Sequence, residues 1–561
     1  MRWMQVAAVM LGACLSGCGD DEASSSATEG GTGSSGGATS TPNPDASTSS
    51  DAAGTAADAS TTTTTTGAAE DDSSTGTPDV PDGPDVPEVD CSDFPSSIDE
   101  ASLAEHLAAL QAIADEHGNR SVGTPGYQAS ATYVRMRLEA AGYTSATDQS
   151  FEATVFEQLG PSTLAADDGA PYPEQEAYFV ARYSGSGSIT APVVPVDLDL
   201  GLENQSTSGC QAEDFDGFPP GAIALIQRGS CAFIAKATRA RDAGASAVII
   251  FNQGNTVNRL DAIAYGLDPA QSNLPSIGAS YAVGEALANA GEVTLTIDAV
   301  TEERTTRNVL VERTGTDPDQ VVMFGAHLDS VPEGPGINDN GTGSMAMLAI
   351  AERLAQCDPS RTVRFAWWGA EEIGLVGSQH YVDTLSDEDR DALLFYLNFD
   401  MIGSPNFVRF VHDGDGSRYG NEGAPGSDAL EQFFHDHFEA LDLPIEEAPF
   451  DGRSDYGPFL NADIPTGGLA TGAEVEKTQQ QANLYGGEAG LAYDPCYHRA
   501  CDVDATIALE EYARITAAVA TAVDRFGLQG DGLFSMEAPR PRALRAEPTA
   551  DTYGCGHGLR E

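Results

Sequence analysis

Histidine and carboxylate residues follow several apolar segments in the second half of the chain. His327 follows VVMFGA, Asp400 follows FYLNF, and the pair Glu371 and Glu372 follows TVRFAWWGA. Neutral imidazole and carboxylate are the side chains that zinc takes as ligands in catalytic sites. Two metal ions that share a carboxylate can activate water, and the second member of an adjacent Glu pair can then serve as general base. The spacing therefore indicates a metal-dependent hydrolytic site.

Two further segments add residues of the same kind. Asp339 in GINDNGTG lies between a Gly-rich loop and an apolar helical segment, and His498 lies in PCYHRACD. A single residue of this type is more often a helix cap or a turn residue. The joint pattern is more specific, because the carboxyl ends of parallel strands meet at one rim of a sheet. Asp329 shares a face with His327 in an extended segment, and we expect it to orient that imidazole.

The segments around these residues predict an α/β fold. From residue 308 onward, strand-like segments alternate with segments of helical periodicity. This order is typical of an α/β sandwich with a largely parallel sheet. Two amphipathic helices are predicted at 98–116 and 128–141, whereas residues 164–300 contain mainly short strands rich in Val and Ile. The predicted strands of the later part are NVLVER, VVMFGAHL, TVRFAWW, FYLNFDMI and FVRFVHDG, and its predicted helices span 344–356, 372–384, 427–440 and 505–526.

The N-terminal residues 1–18 resemble a bacterial lipoprotein signal. Arg2 precedes an apolar segment too short to span a bilayer, and that segment ends in LSGC at Cys18. We expect Cys18 to be lipidated, with an ordinary secretory signal as the alternative. Residues 19–95 are mostly Ser, Thr, Gly, Ala, Asp and Pro and are predicted to form a disordered low-complexity linker. Residues 528–561 are predicted to be a C-terminal tail.

Charge and cysteine content narrow the classes of partner and compartment. The 561-residue chain carries 28 basic and 86 acidic residues, a formal charge of −58, which argues against nucleic acid or an anionic membrane surface as a partner. Membrane contact is therefore expected only through the lipid anchor. Export permits disulfides, and the favoured pairs are Cys496 with Cys501 and Cys210 with Cys231. An odd number of cysteines follows the signal, so at least one thiol is free or pairs with another molecule. The pairing of the remaining cysteines stays open; these are Cys91, Cys357 and Cys555.

The motifs HLDS, NDNGTG, AEEIGLVGS, NFDMIG, RSDYGPF and CYHRACD together resemble the co-catalytic two-zinc aminopeptidases secreted by bacteria and fungi. The resemblance implies a discontinuous zinc peptidase domain at 96–163 and 301–527. It also implies a three-layer α/β sandwich with a central mixed, mostly parallel sheet. Residues 164–300 resemble the small β-rich protease-associated domain, through GAIALIQRGSCAFIAKATRARDAGASAVIIFNQ. Such inserts act as spacers or as substrate-access lids, and the sequence does not distinguish between these two roles.

The resemblance also implies a role for each residue of the predicted site. It implies five ligands for two zinc ions per chain: His327 and Asp400 on the first, Glu372 and His498 on the second, and Asp339 bridging both. It further implies Glu371 as the general base and Tyr497 as hydrogen-bond donor to the developing oxyanion. Arg453 matches a position that helps to hold the substrate backbone.

The implied function is a zinc-dependent aminopeptidase that acts on peptides and releases apolar N-terminal residues through a hydroxide shared by two zinc ions. Carboxypeptidase and glutaminyl cyclase activities occur on similar scaffolds and stay as alternatives. A non-catalytic binding protein is disfavoured because the predicted ligand set is intact. The preferred N-terminal residue and the oligomeric state stay open.

Overall fold

The computed structural model describes residues 91–167, 169–201, 203–269 and 273–531. The predicted signal 1–18, its lipidation site Cys18, the linker up to residue 90, Cys555 and the tail from residue 532 lie outside the described residues. Across the described ranges, no helix combines the length and the apolar character that a membrane span requires.

The described chain contains two β-sheets. One sheet has eight strands in the order β1-β9-β11-β10-β12-β15-β13-β14, and the other has seven in the order β2-β8-β4-β5-β6-β7-β3. The strands are β1 (Thr147–Gln158), β2 (Thr163–Ala166), β3 (Tyr178–Val180), β4 (Gly187–Val196), β5 (Ile223–Gln227), β6 (Ala247–Phe251), β7 (Ser276–Ala279), β8 (Glu292–Ile297), β9 (Ala299–Arg313), β10 (Asp317–His327), β11 (Arg361–Trp368), β12 (Leu393–Phe399), β13 (Phe410–His412), β14 (Glu446–Ala448) and β15 (Thr466–Ala470).

The centre of the eight-stranded sheet is parallel and its edges are mixed. Strands β11, β10, β12 and β15 run parallel to one another, whereas β9 pairs antiparallel to β11 and β13 pairs antiparallel to β15. Parallel strands are usually covered on both faces and consist of nearly continuous apolar runs. In β10, Val322 and Phe324 pack into the core on one face, and Val321 and Met323 pack into the core on the other.

Helices cover both faces of this sheet. Helices α1, α2, α5, α8 and α11 contribute to the larger core, and α6 and α9 contribute to the smaller core on the opposite face. The α-helices are α1 (Glu100–His117), α2 (Pro125–Ala140), α3 (Phe233–Asp242), α4 (Tyr281–Leu287), α5 (Gly343–Leu354), α6 (Val376–Thr384), α7 (Asp387–Ala392), α8 (Ser427–Ala440), α9 (Tyr456–Asn461), α10 (Gln479–Tyr485) and α11 (Leu509–Val523). This arrangement confirms the predicted three-layer α/β sandwich with a mixed, mostly parallel sheet.

The seven-stranded sheet belongs to the predicted insert. Strands β1 and β9 pair antiparallel from Thr147 with Leu310 to Gln158 with Ala299, and the insert occupies the chain between their outer ends. Two apolar cores flank the insert's sheet, and the disulfide between Cys210 and Cys231 lies within the insert. The inserted β-rich domain is therefore confirmed, and it begins with β2 and ends with β8.

The described residues include the last part of the predicted linker 19–95, from Cys91 onward. Residues Cys91–Ser97 form a short helical turn, in which Phe94 is fully buried in the larger core. Cys91 also forms a disulfide with Cys357, just beyond α5. Phe94 and the disulfide of Cys91 thus join the end of this segment to the core, and the disulfide accounts for two of the three cysteines that the sequence left open.

One predicted helix begins later than expected. The helix predicted at 372–384 is observed at Val376–Thr384, because the chain first makes a turn in which the N–H groups of Gly374 and Leu375 donate to the carbonyl of Glu371. Leu375 has a left-handed backbone (φ 59°), which separates this turn from the helix. The Glu pair therefore lies in a turn after β11 and not on a helix.

Candidate metal centre and catalytic site

The ends of three neighbouring parallel strands bring together the residues that the sequence singled out. His327 is the last residue of β10, Asp400 follows β12, and Glu371 and Glu372 follow β11 after two residues. His327 and Glu371 have no exposed surface. The carboxyl ends of these strands therefore bring the side chains to one rim of the sheet, as the sequence predicts.

Two groups of close polar atoms share the carboxylate of Asp339. His327 Nε2 lies 3.1 Å from Asp339 Oδ1 and 3.3 Å from Asp400 Oδ1. His498 Nε2 lies 3.1 Å from Asp339 Oδ2 and 3.2 Å from Glu372 Oε2. Two ligand atoms at about 2.0–2.1 Å from one tetrahedral zinc lie about 3.3 Å apart. Each oxygen of Asp339 thus faces a different imidazole at the spacing of metal ligands.

Hydrogen bonds within the protein do not satisfy these atoms. His327 Nε2, Asp339 Oδ2, Asp400 Oδ1 and both carboxylate oxygens of Glu372 are buried and make no well-formed hydrogen bond to any described residue. Burying a charged group without a partner is costly. Since carboxylates outnumber imidazoles here, a divalent cation compensates the charge, and the mixed N and O donors suit zinc. The residues present therefore fit zinc ions.

The pKa directions show the same excess of negative charge. Burial alone would lower the pKa of His327, but the carboxylates of Asp400 and Glu371 raise it well above its ordinary value. Burial likewise opposes protonation of His498, whose pKa is nevertheless raised by Glu372 and Asp339. The rim therefore attracts positive charge strongly at both imidazoles.

Asp329 positions the adjacent Glu pair through the backbone. Its two carboxylate oxygens accept the N–H groups of Glu371 and Glu372 at 3.2 Å and 3.3 Å. The partner of His327 Nδ1 at hydrogen-bond distance is the main-chain carbonyl of Asp329, at 3.0 Å, whereas the carboxylate lies 3.7 Å away. The residue expected to orient the imidazole thus does so through its main chain, and its side chain holds the turn after β11.

Two buried residues near the rim were not singled out from the sequence. Arg120 lies in the loop before α2, has no exposed surface, and donates to the carbonyls of Leu328 and Gly336. Asp502 accepts the N–H of Asn338 at 2.7 Å and that of Asp339 at 3.1 Å. Gly336 has φ 63°, and a Cβ there would lie 2.4 Å from the carbonyl oxygen of Asp339. These contacts fix the loop that presents the shared carboxylate.

Tyr497 and Arg453 lie together beside the metal-type residues. Arg453 donates to the Tyr497 hydroxyl at 3.3 Å and to Glu474 Oε1 at 2.9 Å. Burial raises the pKa of Tyr497 well above its ordinary value, so the phenol stays protonated. A hydroxyl that accepts from a guanidinium is polarised as a donor. Tyr497 therefore keeps a hydroxyl proton that it can donate, next to His498 in the chain.

A disulfide closes the short loop that carries Tyr497 and His498. Cys496 and Cys501 are bonded, as the sequence predicts. His498 has a left-handed backbone (φ 57°), an arrangement that costs a residue other than Gly roughly 1–3 kcal/mol. Ala370 before the Glu pair and Met401 after Asp400 also have positive φ, at 62° and 54°. Strained backbone therefore lies next to three of the metal-type positions, which is common at functional sites.

The insert contacts this site directly. Arg182, just after β3, donates from Nη1 to the main-chain carbonyl of Glu372 at 2.7 Å. The main chain of Arg182 is held in turn by Tyr265 and Leu267, through hydrogen bonds of 2.9 Å each. The insert therefore helps to position a metal-type residue, a role that the sequence left open.

Comparisons with known proteins agree with this geometry. Residues 308–523 match peptidase family M28, and residues 189–287 match the PA domain. The chain is 48% identical to an aminopeptidase of Pseudomonas aeruginosa over 421 residues, which cover 74% of this chain and 78% of that protein. It is 37% identical to leucine aminopeptidase 2 of Trichophyton tonsurans, covering 84% and 93% of the two chains. A zinc aminopeptidase from Bacillus subtilis has a similar structure, with a TM-score of 0.59, 26% identity, and coverage of 78% of this chain and 97% of that one.

Removal of the Arg182 side chain is expected to weaken metal binding at the Glu372 side of the rim. Loss of a contact that orients a metal ligand typically reduces metal affinity by about 10–100-fold. For Arg182→Ala we expect a reduction in zinc affinity near the lower end of this range, about tenfold. Zinc competition with a fluorescent chelator measures this. Arg241→Ala is the matched control, because Arg241 lies in the same insert and forms a surface ion pair with its exposed neighbour Asp242. Equal zinc affinity of Arg182→Ala and wild type would contradict the positioning role.

Proposed function

Since the chain belongs to peptidase family M28 and is a zinc aminopeptidase, we propose that it binds two zinc ions and releases apolar N-terminal residues from peptides. The observation that carries the two-zinc assignment is the orientation of Asp339. Its two carboxylate oxygens each lie 3.1 Å from the Nε2 atom of a different histidine. The apolar preference is supported by the leucine aminopeptidases among the relatives.

Five residues would hold the metal in this proposal. His327 and Asp400 would bind one ion, Glu372 and His498 the other, and Asp339 both, as the two groups of distances suggest. Bound zinc supplies Lewis acidity to the scissile carbonyl and lowers the pKa of water to about 7.

Glu371 would move the proton. Burial raises the pKa of its carboxyl well above the ordinary value, with added contributions from Glu372 and Asp400. A carboxylate with a raised pKa is suited to accept a proton from the attacking water and to deliver it to the departing amine. Glu371 Oε2 lies 3.9 Å from His327 Nε2, farther than the oxygens of Asp339 and Asp400, and this distance supports a role as base and not as ligand.

Tyr497 would stabilise the negative charge that develops on the carbonyl oxygen. Its protonated hydroxyl, held by Arg453 at 3.3 Å, would donate to that oxygen. The Arg453 guanidinium is already paired with Glu474. Its contact with Tyr497 supports the expected role of Arg453 in holding the substrate backbone next to that hydroxyl.

Metal analysis and a matched pair of substrates test the proposal. We expect about two zinc ions per purified chain, loss of activity on chelation and recovery on addition of zinc. Leucine p-nitroanilide should be hydrolysed, whereas its N-acetyl derivative should not, because the free amino group is part of the recognised substrate. A single zinc in fully active protein would refute the two-ion assignment, and equal hydrolysis of both anilides would refute N-terminal recognition.

Replacing the proposed base should separate catalysis from metal binding. We expect Glu371→Gln to keep its zinc and to lose about 10²–10⁴-fold in kcat, the usual contribution of a general base. Glu372→Gln is the matched comparison, since the neighbouring residue is proposed to be a ligand and its substitution should lower zinc content. Nearly normal turnover by zinc-loaded Glu371→Gln would place the base elsewhere.

The protein is exported, since its described part contains three disulfides, which persist in oxidising compartments. We propose that the exported chain is anchored by lipid at Cys18, the end of the LSGC motif. Cys18→Ser should therefore release active enzyme from the membrane fraction, and membrane partition followed by N-terminal sequencing measures this. A wild-type chain that is already released, with an N-terminus other than Cys18, would contradict anchoring.

A further inference from the structure

A second group of acidic side chains lies where the chain leaves strand β13. Asp413 directly follows this strand, Asp415 lies two residues further in the loop, and Glu431 lies on helix α8. One carboxylate oxygen from each of the three residues lies within 4.8 Å of those from the other two. None of these residues belongs to the proposed zinc site, so the group needs an explanation of its own.

In Asp413, the most buried residue of this group, only one of the two carboxylate oxygens accepts hydrogen bonds. Asp413 has no exposed surface, and its Oδ2 accepts the N–H groups of Arg418 and Tyr419 at 3.1 Å and 2.7 Å. Its Oδ1 is also buried but has no hydrogen-bond partner among the residues that the structure describes. Buried carboxylate oxygens nearly always have a partner. An orphan oxygen within a group of three carboxylates indicates a missing positive ligand.

Backbone hydrogen bonds hold the other two carboxylates in place. Glu431 Oε2 accepts the N–H groups of Gly414 at 2.9 Å and of Asp415 at 3.1 Å. Asp415 Oδ1 accepts the N–H of Ser417 at 2.8 Å. Like charges held at this distance repel one another. The arrangement is therefore preorganised for a cation.

We propose that Asp413, Asp415 and Glu431 form a binding site for one calcium ion. All three donors are carboxylate oxygens, and calcium takes six to eight oxygen ligands in flexible geometry. Asp415 is exposed, so water can complete the coordination sphere. Zinc and other borderline metals favour sites with nitrogen or sulfur. The nearby imidazole of His435 lies 3.5 Å from the other oxygen of Glu431 and 3.8 Å from Glu447 Oε1, so it forms a separate group with these two carboxylates.

The proposed calcium site is connected to the segment 450–456, which contains Arg453. The N–H of Asp413 donates to the carbonyl of Ala448 at 2.9 Å, which joins the loop to β14. The preceding residue, His412, packs against the rings of Phe450 and Tyr456, with centroids 5.1 Å and 4.5 Å apart. The hydroxyl of Tyr456 accepts the N–H of Gly452 at 3.1 Å. Calcium would therefore stabilise the sheet edge that supports the segment 450–456.

Calcium titration of the full-length, zinc-loaded protein tests the proposal. Calcium is first removed on a chelating resin and zinc is restored, after which calcium chloride is added in a calorimeter and in a thermal scan. We expect one calcium per chain with a Kd of about 10⁻⁴–10⁻³ M, the range of open extracellular sites. At about 10 mM calcium the Tm should rise by about 1.5–3 °C, a small shift because the unfolding entropy of a chain of this size is large.

Two variants and one control locate the ion. Asp415→Asn and Glu431→Gln should each weaken calcium binding by about tenfold or more. Asp415→Asn is the safer variant, because its side chain is exposed and the new amide oxygen can still accept the N–H of Ser417. Glu439→Gln removes an exposed carboxylate from the same helix, outside the group, and should bind calcium like wild type.

Three results would overturn the calcium assignment. The first is a wild-type protein that takes up no calcium at about 10 mM. The second is calcium binding by Asp415→Asn equal to that of wild type and of Glu439→Gln. The third is a preference for zinc over calcium that disappears in His435→Ala. Each result is independent of the peptidase assignment, which the zinc content and anilide hydrolysis test separately.

Discussion

Buried negative charge at the rim of β10, β11 and β12 is the constraint on which the rest of the structure depends. Carboxylates from four chain segments meet there, and Asp339 presents one oxygen to each of two imidazoles. Such a group is unstable without a cation. The protein therefore needs a rigid scaffold that holds the carboxylates in place against their mutual repulsion, and a parallel sheet covered on both faces supplies one.

Most of the positioning comes from main-chain hydrogen bonds. Asp329 accepts the N–H groups of the Glu pair, and Asp502 accepts those of Asn338 and Asp339. Arg120 donates to the carbonyls of Leu328 and Gly336 in the loop after β10. Because Asp329 and Asp502 accept backbone N–H groups of Glu372 and Asp339 themselves, these two residues are held through their main chain. The polar residues behind the ligands thus determine the site as much as the ligands do.

The sequence predicts the site better than it predicts what supports the site. His327 and Asp400 were found because strand periodicity ends at a residue of metal-ligating type, and this signal is local. Arg120 gave no such signal, because a single Arg in a polar loop is ordinarily a surface residue, and its burial arises only when the loops after β10 pack over it. Strand β1 was not predicted for a related reason: TDQSFEATVFEQ is mostly polar on one face, and its pairing with β9 bridges the whole insert. Contacts between distant segments were thus the part that local patterns could not reveal.

The hydrogen bond from Arg182 to the carbonyl of Glu372 makes the insert and the metal rim parts of one thermodynamic system. When two binding events share a contact, each changes the free energy of the other by the same amount. Filling the rim with metal must then favour the seated position of the insert, and seating the insert must favour the metal to the same degree. The affinity of the rim for metal therefore depends in part on a domain that supplies none of the proposed metal ligands.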